Sequence, residues 1–428
     1  MGNNSGKKDV DPCQKNLDEL FFTISNKKPS IHRNELKKAW ENSVDTDLYN
    51  YLELYLFKSQ QNELPCQTFK KFFFDMCKGG VDVKVEVLSK LLGGEENGII
   101  SKVKLMNFVK SILNSILIIQ KYKAVKRYES WSSRMGQSEP GSSVNEYANY
   151  FLDKIHDKSE ENQYSKNDLY SLLNYFDYFL YMVLSNLYNS EDKHFYSNLL
   201  PKYKSSQVDV GKKLSDFSVL NLLHVIFLNL ELPVDYQSEW RPLFSSKVDG
   251  ESFSRLLGQI TNQGPTIIVI KDKEGHIFGG FAPFSWVLGP NFFGDSRSYL
   301  FTLYPKMNMF PSTNFNSNYQ YVNINQQTMP NGLGMGGKLE YFGLWIDSEF
   351  GKGYSSESCT TYRDYKMMSG SKNFEISHCE VWGVGPPPLS PSELGERSVL
   401  DTNLDAKAIL EMAGKTTYSE GLREDAET

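Results

Sequence analysis

Apolar side chains recur every three or four residues from Asn16 to about Lys126, as Leu105, Phe108, Val109 and Ile112 illustrate. That spacing gathers them on one face of a helix, and strand-like alternation is scarce here. The stretch MGQSEPGSSVNEY, from Met135, concentrates Gly, Ser and Pro and reads as a loop or linker between two helical halves. Helical patterns resume at Tyr147 and run to about Glu231. The closest approach to a spanning segment, VLNLLHVIFLNLEL from Val219, is interrupted by Asn221, His224 and Asn229. It falls short of the roughly 18–20 apolar residues that cross a bilayer, so we expect a buried helix.

At Leu232 the texture changes to short, alternating, Gly-rich and aromatic-rich segments that continue to Val384, the pattern of a sheet with tight turns. Within it, Phe253, Leu256, Leu257 and Ile260 share one face of a helix that ends at Gly264 and Pro265. Thr266 to Ile270 is β-rich, DKEG (Asp272 to Gly275) reverses the chain, and His276 to Phe281 returns as a second strand. PPPLSPSE, from Pro386, is a stiff spacer because its prolines lock φ. Beyond it, Ser398 with Asp401 starts a helix that stops at Gly414. Its apolar stripe is Leu400, Leu404, Ala408, Ile409 and Met412. A helix this short is marginal alone in water, and the spacer favours a partner as the surface on which the stripe packs.

With 428 residues the chain has room for two or three domains. Its 40% hydrophobic, 14% aromatic and 23% charged residues exclude a disordered chain and predict that most of it folds. The N-terminus MGNNSGKKDV lacks the apolar core of a secretory signal, and five scattered cysteines without CxxC spacing point to a reduced, cytosolic compartment. Residues 1–130 hold 21 basic and 16 acidic side chains, a net of +5, whereas residues 390–428 hold 4 and 9, a net of −5. The weakly basic end suits a solvated helical face or an anionic membrane surface, and nucleic-acid binding has no support beyond it.

Candidate chemistry is sparse. The glycines of NGLGMGG (Gly332, Gly334, Gly336, Gly337) precede the strand pattern YFGLWID instead of the helix that a phosphate loop requires, so they read as turn and close-packing glycines. Cys359, His378, Cys379 and Glu380 lack metal-ligand spacing. No GxSxG is present, and His276 and Ser285 are expected in ordinary hydrogen bonds. Glu251 and Asp347 read as helix-start and turn carboxylates. The frame from Gly93 to Lys104 has the EF-hand rhythm of a loop glycine, Gly98, with Ile100 two positions on. Gly at position one and Lys at position twelve replace the carboxylates that calcium needs. A second frame, Asp157 to Asp168, offers Asp157, Ser159, Glu161 and Asp168, has Asn162 at the turn position, and stays open to weak binding. Gly2, followed by Asn3, Asn4, Ser5, Lys7 and Lys8, resembles a myristoylation signal with Gly6 where Ser or Thr is usual. One acyl chain holds a membrane only marginally, so a second contact is needed.

WRPLFSSKVDGESFSRLLGQI, FGGF, GDSRSYLFTLYP, NGLGMGG, YFGLWID, CTTY and EVWGVG occur in the order seen in TLDc domains, over about Pro233 to Gly385. With the N-terminal MGN, the EF-hand-like helices and a C-terminal helix ending in SEGLRE, the whole chain resembles the mTOR-associated, lysosome-linked branch of that family. The resemblance implies an α+β multidomain fold: an all-α, EF-hand-like region with degenerate loops (16–231), a TLDc β-sandwich with flanking helices (233–385) and a C-terminal helix. The expected segments around these are a flexible 1–15, a Pro-rich linker 386–397, the helix 398–414 and an acidic tail 415–428. It further implies a non-enzymatic adaptor, without cofactor or metal, on the cytosolic face of the lysosomal membrane. The implied partners are peripheral subunits of the vacuolar proton-pumping ATPase and components of mTOR signalling. Gly2 is then the lipidation site and Leu400, Leu404, Ala408, Ile409 and Met412 the partner-binding residues. The alternative is an oxidative-stress protection protein with a catalytic activity of its own, for which Cys359 and Cys379 supply no peroxidase-like motif.

Overall fold

The computed structural model describes residues 12–57, 61–94, 98–133, 135, 140–155, 163–189, 199–204 and 217–388. Gly2, the C-terminal stripe from Leu400 to Met412 and the ligands Asp157, Ser159 and Glu161 lie outside the described residues.

The N-terminal region is built from helix–loop–helix units joined in pairs. Helices α1 (Pro12–Ile24) and α2 (Arg33–Trp40) flank one loop, and α3 (Thr46–Leu56) and α4 (Cys66–Phe73) the next. Strands β1 (Ser30–His32) and β2 (Glu63–Pro65) tie these loops together, with Ile31 opposite Leu64. The pattern repeats with α5 (Val81–Leu91) and α6 (Lys102–Lys123), then, after α7 (Val125–Ser132), with α8 (Pro140–Ile155) and α9 (Lys166–Leu187). Here β3 (Ile100–Ser101) pairs with β4 (Gln163–Tyr164), and Ile100 faces Tyr164. Both residues are position eight of the frames read from the sequence, which therefore have the right register. The register of Ile31 and Leu64 defines two further frames, Ile24 to Glu35 and Phe57 to Thr68, that lack the loop glycine and so escape a search by ligand residues.

Two expectations change. Helix resumes at Pro140, inside the stretch read as a linker, because proline is tolerated in a first helical turn where the amide would be unpaired anyway. Among the described residues one helix, α6, is by length and composition alone apolar enough to cross a membrane. Its Leu105, Phe108, Val109, Ile112, Leu113 and Ile116 are buried, and the helix packs against α3, α8 and α9 as the spine of the helical core.

The expected buried helix is α10 (Leu222–Glu231), capped by Asn221, whose Oδ1 accepts the His224 amide at 2.9 Å. Among the described residues twelve strands belong with it, β5 (Lys202–Tyr203) before it and, after it, β6 (Glu239–Ser245), β7 (Thr266–Asp272), β8 (Ile277–Ala282), β9 (Gly289–Phe293) and β10 (Tyr299–Tyr304). The remaining strands are β11 (Asn308–Pro311), β12 (Gln320–Asn323), β13 (Gly332–Met335), β14 (Leu344–Asp347), β15 (Lys352–Tyr354) and β16 (Asn373–Val384). The 12-residue β16 belongs to two sheets. Its second half runs between β7 and β6 in the order β11-β10-β8-β7-β16-β6-β5, and its first half starts the order β16-β15-β14-β13-β12-β9. Ile268, Ile270, Phe278 and Leu300 of the first sheet meet Leu333, Met335, Leu344 and Ile346 of the second in one core. Helix α12 (Phe253–Ile260), which follows the short α11 (Ser246–Asp249), closes that core with the four residues its periodicity predicts. The FGGF glycines permit the close approach: a Cβ on Gly279 would lie 1.9 Å from the Ile268 carbonyl oxygen, and one on Gly280 2.6 Å from Met335 Sδ.

The helical region and the sandwich do not behave as beads on a string. Trp131 of α7 is buried against Trp382 of β16 (ring centroids 5.2 Å apart) and Trp240 of β6 (5.7 Å). Trp131 Nε1 donates to Pro201 O at 2.9 Å, and Trp240 Nε1 to Asn229 Oδ1 at 3.0 Å. One continuous hydrophobic core runs from Leu17 through α6 and α9 to Val269, Phe281 and Trp382. A helix period and a strand period are separately legible, whereas their fusion depends on indole contacts between residues far apart in chain order.

Candidate functional site

Strand periodicity puts His378, Glu380 and Trp382 on one face of β16 and Cys379 and Val381 on the other. The first three meet the segment before α10. Glu380 Oε1 accepts from Ser218 Oγ at 2.8 Å and Trp382 Nε1 at 3.3 Å, and Oε2 from the Val219 amide at 3.1 Å. His378 Nε2 lies 3.1 Å from Phe217 O and 3.2 Å from Glu380 Oε2. Two acceptors at Nε2 assign the proton there, which leaves Nδ1 to accept from Ser246 Oγ at 3.3 Å. Ser246 Oγ in turn accepts the Cys379 amide at 3.1 Å. Both His378 and Glu380 are fully buried, so this acid–base pair has no face toward a substrate. Its chemistry is structural: the imidazole and the carboxylate are both hydrogen-bonded, and residues 217–219 are pinned to the sheet.

The remaining candidate residues fall into ordinary structural roles. Asp272 Oδ2 sits 3.0 Å from His276 Nδ1 and accepts from Ser369 Oγ at 2.7 Å, while Oδ1 accepts the His276 amide at 2.8 Å. The carboxylate lies between hydroxyl and imidazole, an order that closes the DKEG turn and activates no nucleophile. Ser285 Oγ accepts the Gly264 amide at 2.9 Å, and Asp347 Oδ1 accepts the Glu349 amide at 2.8 Å as a turn carboxylate. Glu251 is exposed next to the start of α12. Cys379 packs inside the sandwich core, while Cys359 lies against Gly336 and Gly343, and burial pushes both thiols up, away from the reactive thiolate. Among the described residues no three His, Cys, Asp or Glu side chains converge as a metal site. The NGLGMGG glycines form β13 and the turn after it; Gly337 has φ +79° and a Cβ there would lie 2.0 Å from Tyr341 O.

Ammonium groups stand at the calcium positions of two loops. In the first, Lys28 at position five reaches Glu35 Oε1 of position twelve at 3.0 Å, and Glu35 Oε2 accepts the His32 amide at 2.8 Å. These bonds hold the Glu35 carboxyl below its ordinary pKa, the His32 amide foremost. In the third, Lys104 at position twelve extends back to position one, where a Cβ on Gly93 would lie 2.9 Å from its Nζ. In the fourth, Asp168 caps its own helix by accepting the Ser165 amide at 2.6 Å. The frames persist with tethered cations or caps.

The sandwich also presents an apolar loop that pattern reasoning passes over, although the run FSWVLG is its signal. Phe284, Val287 and Leu288 are about half exposed around the buried Trp286, whose Nε1 donates to Thr266 Oγ1 at 2.8 Å. Gln320 clamps the Phe284 main chain from both sides, at 3.2 and 3.0 Å. The Arg297 guanidinium stands 5.7 Å from the Phe284 ring centroid and 5.8 Å from that of Tyr236. A rigid apolar rim beside a cation is suited to contact with protein.

The TLDc domain matches residues 215–385, so the domain takes in α10 and the pinned segment before it, ahead of the change in texture at Leu232. The MTOR-associated protein MEAK7 of Gallus gallus is 35% identical over 380 residues, which is 84% of this chain and 79% of that protein. Its Homo sapiens counterpart is 46% identical over 220 residues, 51% of this chain and 48% of that protein. Nuclear receptor coactivator 7 of Mus musculus is 29% identical over 167 residues, 39% of this chain and 17% of its own length. The chain thus spans about four fifths of one MEAK7 relative and about half of another.

Proposed function

Because this chain belongs to the MEAK7 family of TLDc-domain proteins, we propose that it is a non-enzymatic regulatory adaptor of mTOR signalling that docks on peripheral subunits of the vacuolar proton-pumping ATPase at the lysosome. The observation that carries the reading is 35% identity across 84% of the chain, a span that takes in both the helical region and the sandwich. Two physical features support it. The buried His378–Glu380 pair and the buried Cys379 thiol are closed off from any substrate, and burial raises the pKa of the partly buried Cys359 thiol, whereas an apolar rim is on display. The tryptophan seam joins the two regions through one hydrophobic core, which suits a stiff bridge between static and moving parts of a rotary pump. Gly2, if acylated, and the stripe of Leu400, Leu404, Ala408, Ile409 and Met412 supply the membrane contact and the second protein contact.

A pull-down from lysosomal detergent extract, with the full chain and with a version ending at Gly385, tests the proposal by mass spectrometry. The expected result is recovery of pump subunits by the full chain and a reduced yield with the shorter one. Absence of pump subunits from both refutes pump docking, and equal recovery refutes the role of the stripe.

A further inference from the structure

We infer that an open cleft of about 560 Å³ on the sandwich binds a phosphorylated polyol, a sugar or inositol phosphate, at residues Lys338, Tyr341, Ser356, Glu357, Thr360 and Lys372. This goes beyond the adaptor reading and does not depend on it. The pointer is Ser356, 6% exposed, whose hydroxyl finds no hydrogen-bond partner among the described residues. A buried orphan hydroxyl is costly unless something completes it. Its neighbour Ser355 is fully used: its hydroxyl meets Tyr365 Oη at 2.7 Å and accepts the Met368 amide at 2.9 Å. Ser356 alone of the two lines the cleft.

The rest of the lining defines the ligand class. Neither the Lys338 nor the Lys372 ammonium pairs with a carboxylate among the described residues, and two cations without a counter-charge favour an anion with several acceptor oxygens. Lys338 is held in a tight turn, where its amide donates to Tyr341 O at 3.2 Å and the Tyr341 amide to Lys338 O at 2.9 Å. Its ammonium lies 4.9 Å from the Tyr341 ring centroid. Thr360 Oγ1 accepts from Asn316 Nδ2 at 3.2 Å and so keeps its own proton to donate. Glu357, without an ion-pair partner among the described residues, would repel a bare phosphate but accepts hydrogen bonds from ligand hydroxyls, which selects a phosphate carried on a polyol. The walls are preset, with Asn318 Nδ2 donating to Gly337 O at 2.6 Å and Thr313 Oγ1 to Thr360 O at 2.7 Å.

The same headgroup chemistry comes from a soluble metabolite or from a lipid, and two assays on the full chain separate them. Calorimetry with inositol trisphosphate and with glucose phosphate reads the soluble form; flotation with phosphatidylcholine vesicles, with and without phosphatidylinositol phosphate, reads the lipid form. Saturable heat with a soluble probe supports the site, and flotation that needs the phosphoinositide assigns its source as lipid. The double variant Lys338→Glu, Lys372→Glu reverses the two cleft cations and is expected to weaken binding at least about tenfold. Ser356→Ala should weaken it roughly three- to tenfold while leaving the ligand-free melting temperature unchanged or raised, because the orphan hydroxyl is gone. No heat with either soluble probe together with no phosphoinositide-dependent flotation overturns the proposal. So does binding that both variants leave unchanged.

Discussion

The helical region and the sandwich use the same residue type, glycine, for opposite ends. Gly98 sits in the third helix–loop–helix turn at φ +66° with open space where its side chain would be. Gly279 has an ordinary backbone, yet a Cβ there would strike the Ile268 carbonyl oxygen at 1.9 Å and the Phe301 ring at 2.8 Å. The helical loops thus keep a backbone frame that holds without calcium ligands, whereas the sandwich depends on atoms in contact. A frame tolerates exchange of side chains; a contact does not.

The largest effect should come from testing that contrast directly. Gly279→Val forces the β7–β8 pair apart and is expected to cost more than about 4 kcal/mol, enough to abolish soluble, cooperatively folded protein. Gly98→Ala, strained only by its left-handed backbone, should cost about 1 kcal/mol and fold. Denaturant unfolding of both variants checks the pair. Equal losses would erase the distinction between frame and contact.

Much of this contrast is legible in the residues, and what is hidden has a physical cause. The 3.6-residue face of Phe253, Leu256, Leu257 and Ile260, the DKEG turn and the β7–β8 hairpin follow from periodicity and turn chemistry, which are local. The register of Ile100 with Tyr164 could be anticipated from two loop frames, but that of Ile31 with Leu64 could not, since Pro29 replaces the loop glycine and Lys28 stands among the ligand positions. Ser356 looks the same as Ser355 in sequence, and only packing shows which hydroxyl is left unused. The apolar stripe after Ser398 was legible as a pattern and falls outside the described residues.

Next in size is the seam that joins the two regions. Trp131→Ala removes a fully buried indole, its contacts with Trp240 and Trp382 and its hydrogen bond to Pro201, for about 3–5 kcal/mol. If helices and sandwich unfold as one body, the wild type should melt in a single transition and the variant about 5 °C lower, or in two steps. A variant that melts as the wild type does would mean that the regions are energetically independent and would weaken the case for a stiff bridge.

The smallest effect concerns the first loop. Lys28 and Glu35 form a half-exposed pair, so Lys28→Ala should shift the melting temperature by no more than about 1–2 °C. The informative readout is calcium. A loop with about 10 μM affinity would add about 2.7 kcal/mol at a hundredfold higher calcium concentration, an unmistakable rise in melting temperature. The wild type should show none when calcium replaces chelator: Ile24 stands at position one of the first frame, the Lys28 ammonium engages Glu35, and Lys104 fills position twelve of the third. In Lys28→Ala the ammonium is gone but Ile24 still offers no carboxylate, so calcium should stay without effect. A calcium-dependent rise in the variant alone would identify Lys28 as the tethered cation that keeps the metal out. A rise in the wild type would show that a loop still binds calcium and would turn the inert frame into a switch.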